Sequence, residues 1–311
     1  MITYQQIKEK GIAFFSDPHD PAPLGIFRIL IAGFAIVQAV FWYPDWLAFF
    51  GKEGWIQWEI SHALNQAWNL HLSLIYEWLS FTGISADQMV MAFFWVYVIS
   101  ATGLLLGWFT RVWAILTWLC HFTMMSTSPT FMYGVDIFLQ IALFYLMLMP
   151  VSKAFSLDLR QGRVSGDPTW GVTISLRVLQ LHMCMAYLSA GYEKMLAAEW
   201  WDGNVLWRSL VQPDFRQFDL TWLARFPWIP MLLSWFTMVV ETFYFIGMWV
   251  PKLRVFWLAG IISLHLGIGL FLGLKFFGLI MILMSVSAFG YDAWQDIKRQ
   301  KSFIKNLATG S

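Results

Sequence analysis

The sequence is poor in charged residues: Asp, Glu, Lys and Arg make up 13% of its 311 residues, against about 25% in soluble globular proteins. This scarcity excludes an ordinary soluble domain and also a disordered chain, which would be rich in charge and poor in aromatic residues. Only two Cys residues are present, which excludes a disulfide-stapled secreted module. The net charge of +1 offers no basic footprint for nucleic acid, so we expect no such partner.

The common catalytic and metal-binding motifs are missing as well. No Gly-rich phosphate loop, H-E-x-x-H, G-x-S-x-G or paired His/Cys spacing occurs, so we expect no metal site. Cys120 and Cys184 form no C-x-x-C pair, and we expect two free thiols. Any catalytic residues must therefore be recognised as single ionisable residues within the apolar segments of the chain.

Apolar residues make up 59% of the chain, and a membrane-spanning helix needs about 20 of them in succession. This pattern predicts an all-α, polytopic membrane bundle formed by residues 1–311 as a single transmembrane domain. Arg28 and Arg177 stand where a long side chain can reach the membrane interface, which extends two short spans and gives Arg28 a structural role. The eight predicted spans are 24–44, 88–108, 111–127, 134–150, 174–196, 228–249, 254–273 and 276–290.

The distribution of Lys and Arg predicts the orientation of these spans. With the N-terminus in the cytoplasm, fourteen of the 20 Lys and Arg residues lie inside and six outside, as the positive-inside rule requires. An even number of spans places both termini in the cytoplasm. The polar first 20 residues contain no apolar signal-peptide region, so we expect a multi-pass protein of the inner (plasma) membrane with a retained first span.

Two long outer loops, 45–87 and 197–227, are aromatic rather than hydrophilic. Trp residues prefer the headgroup level of a membrane, so these loops are predicted to form re-entrant or interfacial helices that roof a cavity, with 59–80 as the best amphipathic segment. A simple aromatic belt is the alternative. Eleven of the 20 Trp residues lie in or beside these loops: Trp42, Trp46, Trp55, Trp58, Trp68, Trp78, Trp200, Trp201, Trp207, Trp222 and Trp228.

Ionisable residues inside the predicted spans are functional candidates because a central charge costs about 2.5 to 3.5 kcal/mol on insertion scales. For His121 and His182 a structural role is favoured, since their neighbours are plain apolar residues, and Asp136 is also assigned a structural role. The full set is Asp136, Glu241, Lys194, Glu193, His121, His182 and His265.

Lys194 differs from the others in its local sequence. On a helix its neighbours at i−3, i−4 and i−7 are Gly191, Ala190 and Tyr187, so its amine would stand beside a groove floored by small residues where a flat ligand could lie. Burial there would favour a neutral amine that can act as a base. The alternative is a plain ion pair with Glu193 or Glu199 at the interface.

Several motifs carry a resemblance to a known family. The run Ala190-Gly191-Tyr192-Glu193-Lys194 with its following Trp200 is similar to the A-G-x-x-K-L-x-x-x-W segment of the vitamin K-dependent gamma-glutamyl carboxylases and their bacterial relatives, the HTTM (horizontally transferred transmembrane) family. The segment from Asp20-Pro21 to Phe27-Arg28 resembles the family's D-P-x-x-L-x-x-F-R opening. Tyr133-Gly134 and Leu264-His265 resemble later family motifs, so the resemblance covers nearly the whole chain.

The resemblance implies that Lys194 is the catalytic base of a gamma-carboxylase-like enzyme. In the family's chemistry the lysine deprotonates a reduced quinone, here menaquinol or vitamin K hydroquinone. Oxygen then adds to give a strong base that removes a proton from glutamate, and carbon dioxide traps the carbanion. Tyr187, Gly191, Tyr133, His265 and Glu241 would surround the quinone. The expected partners are membrane lipid, the quinone and a peptide or small-molecule substrate at the outer face.

Two departures weaken the carboxylation half of this function. Ser128-Pro129 stand where the carboxylase has an Asn-His pair, so the histidine attributed to carboxylation has no counterpart. About 20 mostly polar residues follow the last span, so a counterpart of the carboxylase's C-terminal lumenal domain is not expected. The alternative is a non-catalytic HTTM protein acting in transport, toxin maturation or immunity.

Overall fold

The computed structural model describes residues 3–65 and 69–309. Within these residues the chain is helical without a β-strand, apart from one isolated bridge between His19 and Thr169. The chain divides into two compact units, residues 16–172 and residues 1–15 with 173–311. The all-α fold class is confirmed, and the expectation of one domain over residues 1–311 stays a prediction.

The helices have the following bounds, in chain order. They are α1 (Tyr4–Ser16), α2 (Ala22–Trp42), α3 (Trp46–Phe50), α4 (Trp58–Leu64), α5 (Leu72–Leu79), α6 (Ala86–Leu106), α7 (Thr110–Thr127), α8 (Gly134–Leu148), α9 (Leu157–Arg160), α10 (Trp170–Leu196), α11 (Ala198–Trp201), α12 (Asn204–Val211), α13 (Trp228–Thr242), α14 (Tyr244–Trp249), α15 (Pro251–Phe271) and α16 (Lys275–Thr309).

Seven of the eight predicted spans each fall on one helix and the span 228–249 falls on two, and five of the helices are long and apolar enough to cross a membrane. The five are α2, α6, α10, α15 and α16. Helices α8 and α13 are apolar but have 15 residues each, a rise of about 22 Å against a hydrocarbon core of about 30 Å. The described residues therefore support a polytopic membrane protein, and the number of eight spans stays a prediction.

Two predicted segments are divided in the structure. The span 228–249 consists of α13 and α14, because the helix is interrupted at Phe243, directly after Glu241 and Thr242. The segment 59–80 contains α4 and α5 as separate helices, and its residues 66–68, with Trp68, lie outside the described residues. Short helices α11 and α12 lie in the second loop. The position of all these helices at a membrane interface stays a prediction.

In the unit of residues 16–172, Arg28 is fully buried within the protein, and its position at a membrane interface stays a prediction. Its guanidinium donates to the carbonyls of Leu104 at 2.7 Å and Phe155 at 2.6 Å, and also to those of Leu105, Val151 and Ala154. Helix ends leave unpaired carbonyls, and Arg28 satisfies those at the end of α6. These hydrogen bonds tie α2 to the end of α6 and to the segment 151–155.

The turn between α6 and α7 is held by the same segment that follows α8. Gly107 and Phe109 have left-handed backbones with φ of 68° and 45°, a conformation that only glycine adopts without strain. The Asp158 carboxylate accepts from the backbone N–H groups of Phe109 at 2.9 Å and Thr110 at 2.8 Å, and from the Thr110 hydroxyl. Asp158 thus caps the first turn of α7 from a distance in sequence.

In the unit of residues 1–15 and 173–311, close helix contacts position the polar side chains. Helices α15 and α16 pack closely at Gly278, because the backbone of His265 occupies the position that a Cβ would take there. At the start of α15, Arg254 forms a buried ion pair with Asp296 at 2.6 Å and donates to the Met248 carbonyl at 2.7 Å. Helices α14, α15 and α16 are thereby fixed to one another.

Candidate functional site

Lys194 lies near the end of α10 and forms an ion pair with Glu241 in the last turn of α13. Its Nζ lies 2.7 Å from Glu241 Oε2 and 3.3 Å from the Ala190 carbonyl. The Lys194 side chain is 22% exposed and the Glu241 side chain 7%. The pair is therefore largely removed from water, where its attraction is much stronger than at a surface.

The alternative pairing of Lys194 with Glu193 or Glu199 is wrong. Glu199 forms an ion pair with Arg208 at 3.2 Å, and the Glu193 carboxylate accepts from the Ser189 hydroxyl at 3.4 Å. Both acidic residues are exposed. Lys194 instead faces the interior of its unit, where Glu241 supplies the counter-charge.

Gly191 permits this pairing by letting two helices approach closely. A Cβ at Gly191 would lie 2.5 Å from the Thr242 backbone nitrogen, which is closer than any side chain permits. The part of the predicted groove over Gly191 is therefore filled by α13 and is not open to a flat ligand. The close approach places Glu241, the neighbour of Thr242, beside Lys194 one turn after Gly191.

Tyr187 links the Lys194 helix to His265. The Tyr187 hydroxyl lies 2.8 Å from His265 Nε2 and 3.2 Å from the Ser285 hydroxyl, while its ring stacks on Tyr244 with centroids 4.3 Å apart. All four side chains are buried. The structure thus brings together Lys194, Glu241, Tyr187 and His265, four of the residues predicted for the site.

Three further residues of this cluster were not predicted from the sequence. Ser285 and Tyr244 are polar groups within apolar helices, a signal that could have found them. Thr242 contacts Gly191 and donates to the Met195 sulfur at 3.3 Å. Only its position next to Glu241 marked it in the sequence.

An aromatic ring lies over the Lys194 end of the cluster, and an apolar cavity lies near Glu241. Lys194 Nζ is 5.3 Å from the centre of the Trp200 ring, within the range of a cation–π contact. A cavity of about 260 Å³ is lined by α12, α13 and α15, including Thr237, one turn before Glu241, and Leu264, next to His265. His265 Nδ1 is buried and has no hydrogen-bond partner among the described residues.

The remaining predicted residues lie in the other unit. Tyr133 precedes α8, and its backbone N–H donates to Asp136 Oδ2 at 3.2 Å. Asp136 also accepts from the Gln38 side chain at 3.0 Å and caps the start of α8. Arg28 binds the carbonyls described above. The role of Tyr133 in quinone binding stays a prediction.

His121 and the two Cys residues also have clear surroundings. His121 Nδ1 lies 2.5 Å from the Gln140 side-chain oxygen, so this histidine is held within the helices of its unit. Cys120 and Cys184 are free and buried, as expected. Within the described part of the chain, no group of three or more His, Cys, Asp or Glu residues is arranged to hold a metal ion.

Comparison with known proteins identifies the family. The sequence pattern of the HTTM domain matches residues 16–294, which include every residue of the cluster around Lys194. No curated protein and no solved structure matches the chain. With nine-tenths of its length covered by this one pattern, the chain belongs to the HTTM family, the gamma-carboxylase-like family of membrane proteins that its motifs resemble.

Proposed function

We propose that the protein is a membrane enzyme that uses a reduced quinone and oxygen to modify a peptide or small molecule at the outer face of the membrane. The observation that carries the proposal is the Lys194–Glu241 pair, an amine and a carboxylate 2.7 Å apart in the interior of one unit. Burial of two ionisable groups is costly, and buried ionisable pairs of this kind are often found at functional sites.

The surroundings of the pair fit a reduced quinone of the menaquinol type. Such a ligand is flat and apolar, with two hydroxyl groups at its edges. The apolar cavity between α12, α13 and α15 suits its body. Lys194, Glu241 and His265 do not line this cavity, so the edge of the quinol would have to extend beyond it to reach them, where the unpartnered His265 Nδ1 can accept a hydrogen bond from a hydroxyl. When bound, the reduced quinone together with oxygen would supply the strong base that the family's chemistry requires.

Lys194 and Glu241 together would accept the quinol proton. In its charged form the pair is an ammonium beside a carboxylate, and it can take up one further proton to become an ammonium beside a carboxylic acid. Lys194 would pass a proton to Glu241 across the 2.7 Å contact, and the neutral amine that results would accept the quinol proton. The remaining positive charge on Lys194 would be balanced by the deprotonated quinol beside it, so the pair can act as a base.

Tyr187 and Trp200 would position and shield the reacting group. The Tyr187 hydroxyl forms a hydrogen bond with His265 Nε2. This bond fixes the orientation of the imidazole ring and leaves its Nδ1 atom available to the ligand. The Trp200 ring covers Lys194, and excluding water protects a strong base from being quenched. Since Ser128-Pro129 replace the family's Asn-His pair, the proposal includes carbon dioxide only as a co-substrate whose use has to be tested separately.

The test is turnover of the purified protein in detergent with menaquinol and oxygen, followed by mass spectrometry of the quinone. We expect a quinone epoxide, and a loss of at least about 100-fold in its rate for Lys194→Ala, since a positioned base contributes about 10²- to 10⁴-fold. Lys252→Ala, which changes an exposed lysine, is the matched control and should keep full activity.

The same experiment can contradict the proposal. Circular dichroism must show that Lys194→Ala keeps the helix content of the unchanged protein. If no epoxide forms from either menaquinol or vitamin K hydroquinone, or if Lys194→Ala turns over at the full rate, the enzyme assignment is wrong. The non-catalytic role in transport, toxin maturation or immunity would then take its place.

A further inference from the structure

A second cavity lies in the unit of residues 16–172 and is walled by aromatic rings. It has a volume of about 160 Å³, and the rings of Trp42, Phe49, Phe50, Phe131 and Tyr133 line it. We call it the aromatic cavity. The Phe49 ring lies edge-on to Phe131 with centroids 5.6 Å apart, and Trp42 lies 5.8 Å from Phe49.

Asp136 is the acidic residue of this wall. It is 1% exposed, and among the described residues no Lys, Arg or His nitrogen lies within ion-pair distance of its carboxylate. Its oxygens accept from the Gln38 amide at 3.0 Å and the Tyr133 N–H at 3.2 Å. Each carboxylate oxygen retains a free lone pair, so Asp136 can accept from a ligand as well.

Gln38 adds a second acceptor beside Asp136. Gln38 is 1% exposed, and its side-chain oxygen is buried without a hydrogen-bond partner among the described residues. Buried polar atoms are nearly always paired, so the unpaired Gln38 oxygen beside a carboxylate without a counter-charge places two electronegative groups side by side, an arrangement that attracts a cation. The faces of aromatic rings carry negative electrostatic potential, so five aromatic side chains lining the same cavity as a carboxylate favour a positively charged group.

We propose that the aromatic cavity binds the quaternary ammonium group of a choline-like ligand. Aromatic rings around an anionic side chain are the recognised way to bind such groups, and the small volume suits a trimethylammonium head. Asp136 also lines an adjoining cavity of about 360 Å³ whose other walls are largely apolar, including Phe122, Ile137 and Ile141. This cavity gives room for the remainder of the ligand. The site involves neither Lys194 nor Glu241, although it includes Tyr133, which the family resemblance placed beside the quinone.

Calorimetric titration of the purified, full-length protein with choline tests the proposal. The decisive comparison is 3,3-dimethylbutan-1-ol, which has the shape of choline but no charge. We expect saturable choline binding and at least tenfold weaker binding of the neutral alcohol. Equal binding of the two ligands, or no saturable binding of choline, would overturn the proposal without any variant being needed.

Variants then locate the site. Asp136→Asn removes the charge while keeping hydrogen-bonding groups, and Phe131→Leu removes one ring whose side chain is 39% exposed and so is tolerant of change. We expect Asp136→Asn to weaken choline binding at least tenfold and Phe131→Leu at least threefold. Asp167→Asn, which changes an exposed residue, should leave choline binding unchanged. Unchanged choline affinity in both Asp136→Asn and Phe131→Leu would place the binding elsewhere and contradict the assignment.

The ligand's source can be a membrane lipid or a free solute, and the choice of membrane separates them. Choline affinity is measured in nanodiscs of phosphatidylcholine and of phosphatidylglycerol. If the lipid headgroup occupies the cavity, choline binds more weakly in phosphatidylcholine because the two compete. Equal affinities in both membranes assign the cavity to a free choline-like solute.

Discussion

At the scale of single residues, the structure separates charges that hold the fold from charges that have chemistry available to them. Arg28 and Arg254 are both buried. The Arg28 guanidinium donates hydrogen bonds to backbone carbonyls, and the Arg254 guanidinium forms an ion pair with Asp296. The Lys194 amine and the Glu241 carboxylate mainly have each other. An amine whose counter-charge is a single carboxylate can exchange a proton with a ligand without disturbing a wider network.

Removing one partner of the Lys194–Glu241 pair should destabilise the protein more than removing both partners. Lys194→Met leaves a buried carboxylate unpaired, and we expect a loss of about 2 kcal/mol, less than the about 3 to 5 kcal/mol of fully buried pairs because Lys194 is partly exposed. Lys194→Met/Glu241→Leu should recover at least half of that loss. Chemical unfolding in detergent measures both. Additive effects of the two changes would show that the residues are not coupled.

Arg28 should be one of the most sensitive positions for folding. Arg28→Met leaves several buried carbonyls without donors, and each unpaired group costs about 1 to 3 kcal/mol, so we expect a loss of at least about 3 kcal/mol. Arg160→Met, which changes an exposed arginine, should alter the unfolding free energy by less than about 0.5 kcal/mol. Similar losses for the two variants would contradict the structural role of Arg28.

At the scale of helices and turns, the segment 151–158 acts as a clamp on the turn between α6 and α7. Arg28 binds carbonyls at the end of α6 and in this segment, and Asp158 caps the start of α7. The Asp158 backbone N–H also donates to the Gly107 carbonyl at 2.9 Å. A left-handed Phe109 is tolerated because its N–H group is held from outside the turn.

Asp158 should make this clamp sensitive to acid. Burial alone would raise the pKa of Asp158, but hydrogen bonds from Thr110, Phe109 and Arg163 outweigh it and hold the pKa below the usual 3.8. A lowered folded pKa adds stability that is fully present above the unfolded pKa and is lost as the pH falls through the folded value. Unfolding followed between pH 7 and pH 2 should therefore show a loss of stability below about pH 4.

Asp158→Asn is the matching variant for this acid sensitivity. It should be less stable than the unchanged protein at pH 7, and its stability should fall less steeply below pH 4. Asp167→Asn, on an exposed turn, serves as the control. If the two variants and the unchanged protein show parallel acid unfolding curves, Asp158 does not contribute to the clamp as described.

At the scale of the whole molecule, the number of crossings decides where the Lys194 site opens. Eight crossings with the N-terminus in the cytoplasm would place the end of α10 on the outer side, as the distribution of Lys and Arg predicts. Single Cys residues introduced at Lys8, Lys252, Lys52 and Arg216 in a Cys120→Ser/Cys184→Ser background test this. A maleimide that cannot cross membranes should label positions 52 and 216 in intact cells, and positions 8 and 252 only after lysis.

The reverse labelling pattern would invert the protein, and labelling of positions 8 and 252 on opposite sides would rule out eight crossings. Either result would move the proposed chemistry to another compartment or change the number of spans. Neither would alter the contacts around Lys194, because these lie within one unit of the chain.

Much of the fold is predictable from sequence because runs without charge mark membrane helices directly. The partners of buried charges are not, since they depend on which helices meet. Lys194 was identified by its local pattern, but its partner Glu241 lies 47 positions away and becomes a neighbour only through the contact of Gly191 with Thr242. Likewise the sequence shows that Arg28 is costly to bury, but not that five carbonyls surround it.

The burial of Arg28 has a consequence for biosynthesis. Its hydrogen-bond partners at Leu104 and Val151 lie 76 and 123 positions later in the chain, so they leave the ribosome well after α2. During this interval the guanidinium cannot be satisfied by the chain itself, and a charge in bare hydrocarbon is unfavourable. Helix α2 should therefore remain beside the insertion machinery, or shallow in the membrane, until the segment after α8 has been made, so the first membrane-spanning helix to be synthesised would be among the last to reach its final depth.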